Sequence, residues 1–219
     1  MKHVLITGTN GMIGKLILET CLLRTDIASI TSITRKPTGI SHPKLLEVLH
    51  TNFLNYAAIE GHFANKDICF FCIGVYTGAV SGDEFRTITV DYTAAFAHTL
   101  KKNSPDTAFI FLSGQGADPS EKSSIMFARD KGAAENILIK LGFKQLSIFR
   151  PGYIYPVKPR IEPNAAYKIF RYLYKPFLSK IYPNIGLSSD ELAKAMVLVG
   201  FQGGSQLFYE NREIKKLVN

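Results

Sequence analysis

The sequence contains no tryptophan, and its only cysteines are Cys21, Cys69 and Cys72. So few thiols exclude the disulfide framework of a small secreted protein. Cys69 and Cys72 have the spacing of a metal or redox pair, but they lie in a strand-like apolar run, where residues three apart face opposite sides. We therefore interpret them as buried core thiols. The five histidines are scattered singly without the spacing of metal ligands, so the sequence predicts no metal site.

Long hydrophobic runs are also absent. A membrane-spanning helix needs about 18 or more consecutive apolar residues, whereas the apolar stretch 68–80 is shorter and contains Gly74 and Gly78. The sequence opens with "MKHVLITG" and enters a β-rich run without the charged leader and apolar segment of a signal peptide. We therefore expect a cytoplasmic protein with no membrane span.

Basic residues outnumber acidic ones, with 26 Lys and Arg against 18 Asp and Glu, a formal net charge of +8. A basic surface suits an anionic ligand; it also suits nucleic acid or acidic lipid, or is simply a solvated surface. There is no helix-turn-helix, RNP or zinc-finger pattern, so the sequence carries no specific nucleic-acid signal. A homodimer or a protein partner stays open.

Short apolar runs alternate with helical patterns along most of the chain. These runs are rich in Val, Ile and Phe and do not alternate cleanly with polar residues, which is typical of strands buried on both faces of a parallel sheet. The predicted fold is α/β: a Rossmann-like, doubly wound, mostly parallel sheet with helices on both faces. Right-handed crossovers then bring the loops after the strands to one ligand-facing edge. The predicted strands are 3–7, 29–33, 46–50, 68–73, 108–112 and 146–149, and the helical patterns cover 12–23, 83–102 and 123–141.

The last third of the sequence differs in composition from the rest, but no linker segment precedes it. Prolines 151, 156, 159 and 163 prevent a long helix there, and the segment 164–182 is aromatic and basic. We predict one domain, 1–219, in which 157–187 forms a small lid on the substrate side, although a membrane surface or a partner is an alternative role for 164–182. A helix beginning near Ser188 or Ser189, a strand at 206–209 and a helix near 212–218 are expected to close the chain.

The strongest motif is the segment "VLITGTNGMIGKLILE" near the start of the chain. An apolar strand ends at Thr7, and a helix follows the glycines. Gly8 suits a tight turn, Gly11 a close backbone approach to a pyrophosphate, and Gly14 close packing of helix on strand. The amides near Gly11, Met12 and Ile13 would face the anion at the positive end of the helix. The order of strand, loop and helix predicts dinucleotide binding rather than a purely structural glycine loop.

The end of the second strand distinguishes between cofactors. NAD binders usually carry an acid about 20 residues after the glycine loop, to bond the ribose 2′-hydroxyl. Here "SITRKP" offers Thr34, Arg35 and Lys36, and no acid. A guanidinium can hold a 2′-phosphate bidentately, so the sequence predicts NADP(H), with NAD(H) possible. The alternative is that Arg35 and Lys36 are ordinary exposed charges.

An ordered set of motifs resembles the short-chain dehydrogenases/reductases, in the atypical group around the Tat-interacting oxidoreductase-like and NmrA-like proteins. The resemblance covers most of the chain and is weakest from 157 to 187. It lies in "TGTNGMIG" (7–14), "CIGVYTG" (72–78), "VDYTAAFAHTLKK" (90–102), "FLSGQGA" (111–117), the Lys131-Gly132 helix, "SIFRPGYIY" (147–155) and the tail "LFYENREIKKL" (207–217).

The resemblance implies roles for residues at the matched positions. Ser113 stands where the family keeps a catalytic hydroxyl, and Lys131 where a lysine bonds the nicotinamide ribose. Asn52 stands where an acid often meets adenine. The other cofactor-binding positions implied are Gly8, Thr9, Asn10, Gly11, Met12, Ile13 and Gly14 around the pyrophosphate, Cys72, Ile73 and Gly74 near the adenosine ribose, and Pro151, Gly152 and Tyr153 beside the nicotinamide.

The sequence departs from the family at its acid. The family has a Tyr four residues before the Lys, and this chain has Phe127 there. General acid–base catalysis typically contributes a factor of about 10²–10⁴ in rate, and a phenyl ring has no proton to give. Tyr76, Tyr153 and Tyr155 follow strands and are candidate substitutes, although packing is the more ordinary role for each. Lys131 also has an ordinary alternative, a solvated ion pair with Glu135 one turn away.

Two functions remain open from the sequence. The first is an enzyme acting on a small organic substrate: an NADP(H)-dependent oxidoreductase, or an epimerase-like relative. Its chemistry would suit a substrate that needs no strong acid, such as a quinone or an enone. The second is a non-catalytic NADP(H)-binding protein that senses redox state or regulates another protein. The first predicts a small-molecule substrate beside the dinucleotide, and the second predicts a protein partner.

Overall fold

A parallel sheet organises the structure, a computed structural model that describes residues 1–157 and 186–218. Within these residues, seven strands form this sheet in the order β3-β2-β1-β4-β5-β6-β9, which confirms the predicted Rossmann-like fold. All the pairings are parallel. The strands are β1 (Lys2–Thr7), β2 (Ile27–Thr34), β3 (Leu45–Leu49), β4 (Ile68–Phe71), β5 (Ala108–Leu112), β6 (Gln145–Arg150) and β9 (Phe208–Glu210).

A second, smaller pair of strands was not predicted from the sequence. β7 (Tyr153–Tyr155) pairs in parallel with β8 (Gly186–Ser188). Each strand has only three residues, too few for an alternating pattern to stand out from the neighbouring prolines and glycines. The pair brings the segment after β6 beside the start of the helix Ser189–Gln202.

The helices lie close to the predicted patterns, with one interruption. The pattern at 83–102 is divided by a π-helical turn, Thr87–Asp91, between a short helix and a longer one. A 3₁₀ segment, Ala57–Phe63, precedes β4. The helices are α1 (Met12–Leu22), α2 (Gly82–Arg86), α3 (Tyr92–Asn103), α4 (Met126–Leu141), α5 (Ser189–Gln202) and α6 (Asn211–Val218).

The helices cover both faces of the sheet and enclose two apolar clusters. One cluster joins the sheet to α1 and α5, and the other joins it to α3 and α4. Strand β4 contributes to both, since Phe70 lies in the first cluster and Phe71 in the second. Burial of side chains of this size stabilises the fold by about 1.5–3 kcal/mol each.

The thiols follow the same division between the faces. Cys69 is buried in the α3/α4 cluster, whereas Cys72 is half-buried and packs against the α1/α5 cluster. Burial raises the pKa of Cys72 to about 12 and that of Cys69 well above its ordinary value. All the cysteines are free. The prediction that Cys69 and Cys72 face opposite sides is confirmed.

Helix α5 starts with a capping box. The Ser188 hydroxyl accepts a hydrogen bond of 3.1 Å from the amide of Glu191, and the Glu191 carboxylate accepts one of 2.6 Å from the amide of Ser188. Two otherwise unpaired amides are thereby satisfied. Of the two predicted caps, Ser188 is the one the structure uses. The Ser189 hydroxyl accepts a bond of 3.2 Å from the amide of Val157.

The predicted lid, 157–187, lies outside the described residues except at its two ends. None of the helices in 1–157 and 186–218 combines the length and the apolar composition needed to cross a bilayer.

Candidate functional site

The glycine loop after β1 lies in direct backbone contact with its neighbours. Gly8 has a φ of +71°, and a Cβ there would lie 2.4 Å from the carbonyl oxygen of Cys72. A Cβ on Gly14 would lie 2.3 Å from the carbonyl oxygen of Gly8. Both positions therefore exclude any side chain. The loop, the end of β4 and the first turn of α1 are held together by these contacts.

The first turn of α1 presents open main-chain donors. The Gly11 amide donates to the carbonyl of Gly8 at 2.8 Å, so it closes the loop rather than facing a ligand. In the described part of the chain no side chain caps this helix. The amides of Met12 and Ile13 are left for an anion, at the positive end of the helix dipole.

Thr9 and Asn10 fix this loop to the end of β2. The buried Thr9 hydroxyl is 2.8 Å from the hydroxyl of Ser32. The Asn10 amide donates to the Thr34 hydroxyl at 2.9 Å and to the Lys36 carbonyl at 2.7 Å. These polar side chains are therefore engaged within the protein, and their effect is to hold the β2 terminus beside the glycine loop.

Arg35 and Lys36 follow directly and are exposed. Neither side chain has a hydrogen-bond or ion-pair partner within residues 1–157 and 186–218. Two cations without a partner among the described residues thus stand at the end of β2, beside the glycine loop.

The residues assigned to the adenosine side lie after β3 and β4. Asn52 is exposed, and its side-chain oxygen accepts a local hydrogen bond of 3.2 Å from the Leu54 amide. The Cys72 amide donates to the Thr7 hydroxyl at 3.3 Å. Ile73 is half-buried and Gly74 is exposed. Residues 72–74 thus adjoin the glycine loop.

Ser113, just after β5, is engaged by a buried carboxylate. Its residue is 7% exposed, and its hydroxyl donates to Oε1 of Glu135 at 2.5 Å. Glu135 is fully buried and also accepts a fork from Arg150, with Nε 3.0 Å from Oε1 and Nη2 on Oε2. Since its only proton goes to Glu135, Ser113 offers lone pairs to a ligand.

This network is not predictable from the sequence. Its signal in the sequence is the four-residue spacing of Lys131 and Glu135, for which a solvated ion pair is the alternative to a role of Lys131 at the ribose. The structure corrects that alternative: both residues are buried, and Glu135 binds Ser113 and Arg150.

Lys131 projects from α4 into a desolvated position. Its Nζ donates to the Leu112 carbonyl at 3.4 Å and lies 5.6 Å from the centre of the Phe111 ring. Burial lowers the pKa of Lys131 to about 8, and the charge of Glu135 partly opposes this. Gly132 lets α4 lie directly against the backbone of Asp118, because a Cβ at Gly132 would lie 1.8 Å from the Asp118 carbonyl oxygen.

Phe127 lies one turn before Lys131 and points its ring tip at Gly114. Cζ of the ring is 2.5 Å from the position a Cβ would have on Gly114, while the two Cε atoms are 3.3 and 3.5 Å away. The ring centre is 6.2 Å from that of Phe85. The atom that would carry a tyrosine hydroxyl is thus packed against backbone.

The β6 end supplies the remaining assigned residues. The buried Pro151 accepts a 2.9 Å hydrogen bond at its carbonyl from the Gln115 amide, and the Gly152 amide donates to the Asn211 side chain at 2.9 Å. Tyr153 is half-buried in β7. Asn211 was not predicted, since nothing in the sequence connects residues 59 positions apart.

The candidate tyrosines and the buried Asp130 lie in separate environments. Tyr76 and Tyr155 are half-buried. Asp130 is fully buried between Arg86 at 2.9 Å and Arg129 at 3.1 Å.

A cavity of about 310 Å³ lies elsewhere, between the 3₁₀ segment and α3, and none of the predicted site residues lines it.

Comparison with known proteins supports the resemblance read from the motifs. No protein-family model matches the chain. Protein HTATIP2 of Rattus norvegicus is 29% identical over 156 residues, which are 70% of this chain and 63% of that protein. Protein FMP52-1, mitochondrial, of Scheffersomyces stipitis is 24% identical over 221 residues, covering 97% of this chain and 96% of that protein.

Solved structures share the fold. The Bordetella bronchiseptica enzyme WbmH in complex with NAD+ has a TM-score of 0.70 at 20% identity, covering 96% of this chain and 75% of that chain. An oxidoreductase of the short-chain dehydrogenase/reductase family from Burkholderia thailandensis has a TM-score of 0.63 at 16% identity, with coverages of 91% and 85%. The predicted resemblance to atypical short-chain dehydrogenases/reductases is confirmed. The cytoplasmic location stays a prediction.

Proposed function

We propose that this chain, an atypical short-chain dehydrogenase/reductase-like protein, binds NADP(H) at its glycine loop and acts as an oxidoreductase on a small organic substrate. The observation that carries the proposal is the pair of glycines, Gly8 and Gly14, at which a Cβ would meet backbone oxygen at 2.4 and 2.3 Å. Because these positions carry no side chain, the start of α1 can pack close to the sheet edge, where its main-chain donors can hold a diphosphate. Calorimetric titration with NADPH is the direct test.

The unengaged cations after β2 support a preference for NADP(H). An acid here would repel a 2′-phosphate, whereas Arg35 and Lys36 attract it. The bonds of Asn10 to Thr34 and Lys36 keep this segment beside the pyrophosphate position.

We expect Arg35→Ala to weaken NADPH binding about 10–100-fold, because a hydrogen bond to a charged group contributes about 1.5–3 kcal/mol. NADH binding should stay within about twofold. Calorimetry with both nucleotides measures the change in their ratio. Lys140→Ala, at an exposed position on α4, is the matched control for loss of one positive charge. Equal losses for NADPH and NADH would reject the role of Arg35 in cofactor choice.

The polar groups at the site favour a substrate that needs no strong acid. The bound nicotinamide supplies or accepts the hydride. Of the residues at the family's catalytic positions, Phe127 has no proton, and Ser113 gives its proton to Glu135. Lys131 is left to orient the cofactor ribose through its amine. A quinone or an enone, in which conjugation accepts the charge, fits this set better than a simple ketone.

Stopped-flow loss of NADPH absorbance across a panel of carbonyl, quinone and enone compounds tests the reaction class. We expect turnover with quinones or enones and at least about 100-fold less with simple ketones, following the usual contribution of an acid. Tight NADPH binding without turnover of any class would contradict the oxidoreductase proposal.

Phe127→Tyr is expected to give no gain in ketone reduction. The added hydroxyl would extend from Cζ into Gly114, and overpacking of this kind typically costs about 1–3 kcal/mol of unfolding free energy. Urea denaturation and the NADPH assay measure both effects. Phe127→Leu serves as control, because it alters the packing without adding a hydroxyl. A large gain in ketone reduction by Phe127→Tyr would show instead that the ring turns into the cleft.

The same observations favour one second candidate, a non-catalytic NADP(H)-binding protein that senses redox state. The site keeps its binding loop while Phe127 and Ser113 provide no free proton. Pull-downs with NADP⁺ and with NADPH should then retain different partners. Identical partner sets with both forms, and with the loop variant Gly14→Ala, would reject sensing.

A further inference from the structure

The carboxylate one turn after Lys131 binds other residues. Lys131 and Glu135 stand four apart on α4, the spacing at which a lysine and a glutamate usually attract each other. Here both oxygens of Glu135 are occupied, Oε1 by Ser113 and the Nε of Arg150, and Oε2 by the Nη2 of Arg150. Lys131 bonds the carbonyl of Leu112 instead.

Lys131 and Arg150 are alternative partners for the Glu135 carboxylate, and this carboxylate is shielded from water. Ser113 and Lys131 are each 7% exposed, and Glu135 is fully buried, so the strength of each charge pair is greater than at the surface. A guanidinium offers a planar fork that matches both carboxylate oxygens, whereas an ammonium is a point charge. The fork is itself fixed, since the Arg150 guanidinium lies 4.0 Å from the centre of the Phe208 ring.

We propose that Arg150, with Ser113, is a positioning residue for the cofactor site: by holding Glu135, it keeps the amine of Lys131 free of a carboxylate and available to a ribose hydroxyl. The proposal rests on the proposed function, because it assigns Lys131 to the dinucleotide. A second carboxylate among the described residues, that of Glu210, lies 3.7 Å from Nη1 of Arg150 and is 42% exposed, so it is a weaker competitor for the guanidinium.

Arg150→Met removes the fork while keeping a long side chain. We expect Glu135 to turn to Lys131 and to raise the pKa of that amine by about one unit or more, as a nearby opposite charge does. The affinity for NADPH should fall at least about tenfold. The pKa of Lys131 is measured by competitive labelling with acetic anhydride across pH, followed by mass spectrometry. Lys140, exposed on the same helix, is the internal reference.

The double variant Arg150→Met/Glu135→Gln separates positioning from a merely structural role. It removes the carboxylate as well, so Lys131 should keep a pKa no higher than in the parent and NADPH affinity should return to within about threefold. If the single Arg150→Met variant does not fold, Ser113→Ala and Glu135→Gln give the same contrast. The first should raise the pKa of Lys131 and the second should lower it.

Two results overturn the inference: an unchanged pKa of Lys131 in folded Arg150→Met and Ser113→Ala, or a double variant that binds NADPH as poorly as Arg150→Met. Failure of the proposed function looks different. In that case the parent itself shows no heat with NADPH, while the labelling still reports whether Arg150 decides the partner of Lys131.

Discussion

Gly14→Ala is expected to abolish measurable dinucleotide binding, with a loss of about 100-fold or more. The new Cβ would lie 2.3 Å from the Gly8 carbonyl oxygen. Since neither atom can move independently of its backbone, α1 must move away from β1. The amides of Met12 and Ile13 then miss the diphosphate. Loss of two charge-assisted hydrogen bonds, each contributing about 1.5–3 kcal/mol, accounts for this magnitude. Calorimetry with NADPH measures it.

The control for this variant is Gly61→Ala. Gly61 has no atom within 4 Å of a would-be Cβ and no positive φ, so both stability and binding should stay close to those of the parent. Circular dichroism must show that Gly14→Ala is folded, although we expect it to lose about 1–3 kcal/mol of unfolding free energy. Unchanged NADPH binding by folded Gly14→Ala would remove the basis of the proposed function.

Lys131→Met is expected to stabilise the protein at pH 7 while weakening NADPH binding. Burial lowers the pKa of Lys131 from 10.5 to about 8, so the unfolded chain holds this proton more tightly than the folded one. Each pKa unit corresponds to about 1.4 kcal/mol, which gives an upper gain of about 3 kcal/mol for a variant without the charge. Urea denaturation of both proteins measures the difference.

The pH dependence checks the sign of this effect. Below about pH 8 the folded parent buries a charged amine, and the advantage of Lys131→Met is largest. Between about 8 and 10.5 the amine is neutral when folded but charged when unfolded, so the stability of the parent rises with pH and the gap closes. Lys140→Met, at an exposed position, should change stability by no more than about 0.5 kcal/mol at any pH. A Lys131→Met protein less stable than the parent at pH 7 would contradict the argument.

Most of the fold was predictable because parallel strands leave a strong local signal. A strand covered on both faces is apolar along its whole length, and β5 matches the predicted range 108–112. The π-helical turn at Thr87–Asp91 could not be predicted, because it continues the helical pattern with one extra residue and depends on packing against α4. The three-residue strands β7 and β8 depend on each other, and 30 residues of sequence separate them.

The candidate site was predictable where it is built from neighbouring residues. The glycine loop, with its strand and helix, lies within one short segment, and its geometry follows from the absence of side chains. The Glu135 network was not predictable, because its members come from α4, from the position after β5 and from β6, and a helix pattern does not reveal which buried group accepts which donor. For the same reason the sequence indicated that Phe127 lacks a hydroxyl but not that its ring tip is closed off by Gly114.

The bond between Gly152 and Asn211 ties the start of α6 to the segment that follows β6. Asn211 begins α6 and follows β9, the strand that extends the sheet beyond β6. A chain shortened to residue 205 would therefore lose both an edge strand beside Arg150 and the side chain that holds the Gly152 amide. Affinity tags and fusion partners should accordingly leave β9 and α6 in place.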